Sequence, residues 1–233
     1  LLNESLFLTG LRCHKALWLK AQSSEIKLNF KTGTEYNTSE EKSISNEIKK
    51  SFPGGIPCKI GKSFEINSLG TKELASRESS KILYDACAQF DGVAASCDAL
   101  IPDPSKKGSW HILKAQAATR PMRRHIHELT MIWHTFQNSG INVNRALIAL
   151  VNPSYIKNNE TESEELFIIH DVTQQASTFI NQISEVLNNQ QEILNQSTQP
   201  QVNIGSHCLI PAPCPFMDHC WGPASSQERA NAI

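Results

Sequence analysis

Three cysteines stand at equal spacing in "HCLIPAPCPFMDHCW", residues 207–221: Cys208, Cys214 and Cys220, with five residues between each pair. A fourth, Cys13 in "LRCHKALWL", lies near the opposite end of the 233-residue chain. Thiolates are soft, anionic ligands for zinc and for iron–sulfur clusters. Structural zinc usually takes close pairs such as C-x2-C. Here no pair is that close, and a Pro-rich loop with evenly spaced thiols suits something wider than one ion. A 4Fe-4S cluster is therefore the first reading, with Cys13 as the fourth ligand, and zinc is the alternative. Two disulfides or four free thiols are the plainer readings. A cluster would tie the two ends of the chain together, and a staple across so long a loop is worth several kcal/mol, on the order of a long-loop disulfide. Cys58, Cys87 and Cys97 stand singly and read as core thiols.

The bulk numbers are those of an ordinary globular chain: 39% hydrophobic, 19% charged, net charge −1. Global charge names no partner. No apolar run approaches the roughly 20 residues that cross a bilayer, and no charged-then-apolar signal segment opens the chain. The expectation is a cytoplasmic protein with no membrane partner, where reducing conditions favour metal ligation over disulfides.

Helix is expected over residues 3–20, interrupted near Gly10, and again through "SEEKSISNEIKKSF" (39–52), stopped by Pro53-Gly54-Gly55. Three strands follow: 81–90, 93–101 and 110–118. Asp91-Gly92 between the first two is a strong hairpin signal. Met122, Ile126, Leu129, Ile132, Trp133 and Phe136 predict a helix over about 121–139. Strands at 145–152 and 165–172 come next. A long amphipathic helix runs from its cap Asp171 to about 195, and an irregular cysteine tail completes the chain. This order implies an α/β fold with a mixed central sheet flanked by helices. The chain reads as one domain, 1–233, with a core at 80–172 and cluster-binding ends at 1–20 and 200–222.

"LFLTGLRCHKALWL", "FPGG", "ILYDACAQFDGVAASCDAL", "GSWHILKAQAAT" and "IGSHCLIPAPCPFMDHCW" together resemble a bacterial family of RecB-like proteins. That family belongs to the PD-(D/E)XK nuclease superfamily and carries an iron–sulfur staple. It is similar to the CRISPR-associated RecB-like exonucleases and the AddAB-type helicase–nucleases. The resemblance implies a restriction-endonuclease-like core of helix, three strands, helix and strand, with Cys13, Cys208, Cys214 and Cys220 holding a 4Fe-4S cluster. In such families one strand gives an aspartate, the next a Glu-x-Lys pair, and the following helix a Gln. Asp98 stands at the aspartate position. Lys114 stands where the glutamate belongs, Gln116 where the lysine belongs and Ile132 where the Gln belongs.

Mg²⁺ and Mn²⁺ want oxygen ligands. An ammonium at position 114 would instead pair with Asp98 and repel the ion, so neither metal is expected and the chain reads as a pseudo-nuclease, leaning away from enzyme activity. Residues i and i+2 of a strand share a face, so Lys114 and Gln116 would still point at the old cleft. A metal site rebuilt from Asp98, Asp91 and a histidine would make it an active metal-dependent DNA nuclease instead; His111, His125 and His127 stand nearby, with Glu128 one helical turn from His125. Lys106, Lys107, Arg120, Arg123 and Arg124 could contact phosphates of DNA or RNA, and Trp110 and Trp133 could stack bases. A solvated face and core packing are the plain readings of these two sets. A protein-interaction module, such as a toxin, antitoxin or effector, is the remaining alternative.

Overall fold

The computed structural model describes residues 1–22, 38–58, 61, 63–155, 166–222 and 224–232. In chain order the elements are α1 (Glu4–Arg12), α2 (His14–Ala21), α3 (Thr38–Ser51), β1 (Ile56–Pro57), α4 (Phe64–Arg77), β2 (Leu83–Phe90), β3 (Val93–Pro102) and β4 (Trp110–Gln116). They continue with α5 (Arg123–Asn138), β5 (Val143–Val151), β6 (Phe167–Asp171), α6 (Thr173–Leu194), α7 (Met217–Trp221) and α8 (Ser226–Asn231). The chain divides into two compact units. The first comprises Leu1–Glu4 and Ser39–Glu185, and the second Ser5–Thr38 and Val186–Ile233.

The first unit is built on a six-stranded mixed sheet in the order β1-β2-β3-β4-β5-β6. β1 and β2 are parallel, β2, β3 and β4 pair antiparallel in turn, β4 and β5 are parallel, and β6 returns antiparallel on β5. Antiparallel partners need only a tight turn. Asp91 and Gly92 supply it with φ of 45° and 72°, the double-positive geometry of a type I′ hairpin, and Phe90 pairs with Val93 across it. Parallel partners need a crossover, which α5 provides between β4 and β5.

One face of the sheet buries Leu83, Ala86, Ala95, Leu100, Ile112 and Ile148 with Leu129, Ile132 and Phe136 of α5 and Ala75 of α4. The other face sets Tyr84, Ala99, Leu113 and Ala149 around Ile48 of α3. Strand residues normally alternate between faces. Here Leu83 and Ala86 share a face, as do Cys97 and Leu100. The alternation therefore slips once in each strand, at Asp85, where φ is 51°, and at Asp98 beside it.

Two expectations need correction. The first break in the chain falls at Cys13 and not at Gly10: Gly10 is buried within α1. Cys13 is extended (φ −163°, ψ 122°), its N–H bonds to Thr9 O (2.9 Å), and its carbonyl opens α2 at Leu17 N (3.0 Å). Helix α4 has no counterpart in the hydrophobic pattern, because the positions it buries are Asn67, Gly70, Thr71 and Ala75. Small and polar residues leave no apolar stripe to read. Its local signature is present all the same: Ser63 caps it, accepting from Ile66 N at 3.2 Å, with Glu65 in the first turn and Arg77 in the last.

Among the described residues no helix is long and apolar enough to cross a membrane.

Candidate functional site

The second unit contains all four tail-and-head cysteines. Cys13 leaves its thiol free of capping duty at the start of α2. Cys208 ends a short 3-10 turn (Ser206–Cys208), and its carbonyl accepts from Cys214 N at 2.7 Å. The segment between these two cysteines is therefore a closed loop. Met217 N returns to Cys214 O (3.1 Å), starting α7, which carries Cys220. The four thiols line one small cavity of about 20 Å³, walled also by Ala16, His207, Phe216 and Met217. None is in a disulfide.

The donor set suits a thiolate-ligated group: four sulfurs, apolar walls, and contributions from both ends of the sequence. About 20 Å³ holds little more than one water. Cys13, Cys214 and Cys220 are only half-buried. Among the described residues no three His, Cys, Asp or Glu side chains stand close enough to hold a single metal ion. Burial pushes the Cys214 and Cys220 thiols up, while Arg12 beside Cys214 and Lys15 beside Cys220 oppose the rise. Ligation would therefore release protons. The other three cysteines are buried in the first unit, and burial raises Cys58 to about 11. They behave as core thiols.

The second candidate is the cleft of the first unit. Asp98 of β3 is buried, and its Oδ2 accepts from Ala115 N of β4 at 2.7 Å. Ala99 pairs with Leu113, so one step further sets Asp98 across from Lys114. Lys114 and Gln116 share the α5 side of β4, as strand alternation requires, and Gln116 Nε2 donates to Glu128 Oε2 of α5 (2.9 Å). From the N-terminal segment Glu4 enters too: Leu2 bridges to Val93, and Glu4 Oε1 accepts from Ser96 N (2.5 Å) and Ser96 Oγ (2.9 Å).

Burial alone would lower the Lys114 ammonium's pKa. Asp98, Glu128 and Glu4 more than offset it and hold the group charged well above the usual lysine range. Burial raises the Glu128 carboxyl to about 7, with Glu4 and Asp98 adding to the rise against Lys114 and Gln116. The expected direct Lys114–Asp98 ion pair does not form among the described residues. An Asp98 oxygen is engaged by the Ala115 amide instead, and the ammonium feels three carboxylates rather than one. Glu4 had no sequence signal. Glu128 had one, its helical spacing from His125, but its partner proved to be Gln116.

Ile132 is fully buried in the core. Asp91 lies in the hairpin turn before β3, whereas Asp98 projects from the middle of that strand. His111 faces away from Lys114, with Nδ1 at 2.9 Å from Asn144 Oδ1 and Nε2 at 4.0 Å from Asp103. Burial and neighbouring Arg124 lower His125 to about 4, so it is neutral; its Nδ1 accepts from Met122 N. His127 packs on the Phe179 ring, centroids 4.5 Å apart.

The basic residues are exposed but separate into two groups. Lys106 and Lys107 precede the first residue of β4, whereas Arg120, Arg123 and Arg124 follow its last. The strand between them spans about 20 Å at the usual rise. The arginines share the end that carries Lys114 and Gln116; the lysines do not. Trp110 is 1% exposed and cannot stack on a base. Trp133 packs on the core and donates to Val143 O at 3.1 Å.

No family model matches this chain, and no curated protein does. A solved structure described as "Crystal structure of SSO0001" is similar at 11% identity, over 96% of this chain and 87% of that chain, with a TM-score of 0.40. A likeness of that size carries no argument.

Proposed function

We propose that the chain is a 4Fe-4S protein on a PD-(D/E)XK-like scaffold that binds nucleic acid without cutting it. The observation that carries the reading is the charge arrangement of the cleft. Lys114 stands across from Asp98, with Glu4 and Glu128 near enough to hold it charged. A divalent ion would have to displace an ammonium already balanced by those carboxylates, and hydrolysis by this superfamily's chemistry needs that ion. Antiparallel β2, β3 and β4, then α5, then β5 parallel to β4, is the element order the resemblance implies. The four thiols around one cavity support the cluster. Arg120, Arg123 and Arg124, exposed at the Lys114 end of β4, support phosphate contact there.

The test begins with anaerobic purification and analysis for iron, sulfide and zinc. Iron with sulfide is expected; zinc alone would replace the cluster reading. DNA and RNA shift assays with and without Mn²⁺ are expected to give binding and no cleavage. Cleavage by the unaltered protein, lost on Asp98→Ala, would establish an active nuclease instead. Absence of binding at any salt concentration would leave a protein-interaction module. A double change, Lys114→Glu with Gln116→Lys, restores the Glu-x-Lys pair and is expected to gain Mn²⁺ binding by calorimetry. Unchanged, undetectable Mn²⁺ binding in a folded double variant would refute the claim that position 114 is what excludes the ion.

A further inference from the structure

Arg12 is the last residue of α1 and immediately precedes Cys13. Its Nε donates to His207 O at 2.7 Å, and one terminal nitrogen donates to Ala212 O. His207 immediately precedes the loop that the Cys214 N to Cys208 O bond closes, and Ala212 lies within it. One guanidinium therefore grips the cysteine loop at two points almost two hundred residues away in sequence, from a backbone position fixed by helix α1. Two donors in a rigid planar fork can hold two carbonyls at a set spacing; a lysine, with a single nitrogen on a flexible stem, cannot.

We infer that Arg12 is the positioning residue of the four-thiol site. It holds Cys208 and Cys214 in register with Cys13 and supplies a fixed positive charge beside a group whose ligands are all anionic. This inference rests on the cluster reading. Two consequences follow. Retention of the cluster depends on the fork, because the loop is no longer held against the end of α1 when its carbonyls lose their donor. The reduction potential depends on the charge, because a cation beside the cluster favours the more negative reduced state.

Two Arg12 variants separate the consequences, with Trp18→Phe as a control. Trp18 Nε1 donates to Gln196 O (2.9 Å), and its ring packs with Cys13, Cys214 and Cys220 around Ala16, Leu19 and Phe216, so phenylalanine removes another bond between the head and the tail of the chain while keeping an aromatic ring in that packing. Each protein is reconstituted anaerobically, checked for fold by circular dichroism, and assayed for iron release to a chelator and for potential by redox titration. Arg12→Met is expected to release iron about 10- to 100-fold faster, the usual cost of losing an outer partner of a metal site, and to show a lower potential. Arg12→Lys should recover the potential and still release iron quickly. If Arg12→Met matches the unaltered protein in both readouts, or Trp18→Phe loses iron as fast as Arg12→Met, Arg12 has no special role. Absence of iron from the unaltered protein would instead overturn the cluster reading and the inference with it.

Discussion

Replacing Lys114 with methionine tests the electrostatics of the cleft most directly. The change keeps most of the side-chain volume and removes the charge. No direct ion pair fixes the separations, so about 6 Å with an effective dielectric near 20 is a reasonable scale; each attraction is then worth roughly 3 kcal/mol. Three carboxylates act on the ammonium, and its own desolvation, several kcal/mol, works against them. The net loss of unfolding free energy should be about 2–4 kcal/mol at pH 8. The loss should shrink at pH 5.5. Lys114 is held charged above its ordinary pKa, so its contribution is complete everywhere below about pH 10 and adds no slope between these two values. Glu128 supplies the slope. Its folded pKa, about 7, lies above the roughly 4.3 of an unfolded glutamate. The stability it contributes is complete below the unfolded value and is lost as pH rises through the folded one. Without Lys114 that folded value climbs further. At pH 5.5 the carboxyl is then neutral and needs no cation, so a loss of about 1–2 kcal/mol is expected. Urea unfolding at both pH values measures the difference. A loss below about 0.5 kcal/mol at pH 8, or equal losses at the two pH values, would refute the account of Lys114 as an internal counter-ion.

Gly10→Ala should destabilise despite alanine's better helix propensity, because a Cβ there would sit 2.5 Å from Gln190 Cδ and Nε2. Moving that buried side chain breaks its 3.1 Å bond to Phe7 O, a cost of about 1–3 kcal/mol visible as a lower melting temperature; an unchanged or raised melting temperature would contradict the contact. Cys220→Ser should reduce bound iron in anaerobically purified protein, whereas Cys58→Ser, at a buried core thiol, should leave iron per folded chain unchanged. Equal losses in both would remove the distinction between the two sets of cysteines. Nucleic-acid binding through Arg120, Arg123 and Arg124 alone predicts a log–log salt slope of about −2.7, against about −4.5 if Lys106 and Lys107 joined them. The steeper slope, measured by fluorescence anisotropy, would contradict the separation of the two groups along β4.

Local chemistry carried the parts of this protein that were legible in its sequence. The Asp91-Gly92 hairpin, the apolar stripe of α5, the continuous apolar run of β5 and the stripe of α6 each follow from a backbone preference or a burial period contained in one segment. Helix α4 escaped because it turns Asn67, Gly70 and Thr71 inward, and a helix without an apolar stripe has no period to detect. The single spacing of Cys208, Cys214 and Cys220 marked three cysteines as one set. Their common cavity with Cys13, and the grip of Arg12 on the loop between them, depend on backbone placed by elements far apart in sequence. The cleft divides in the same way. Strand alternation alone put Lys114 and Gln116 on one face of β4. Tertiary packing decided the rest: it brought Glu4 in beside β3, turned Glu128 onto Gln116, gave an Asp98 oxygen to the Ala115 amide, and sent the lysines and arginines of one basic stretch to opposite ends of a strand. Charges act through space, so their balance is set only when the fold has fixed who stands beside whom.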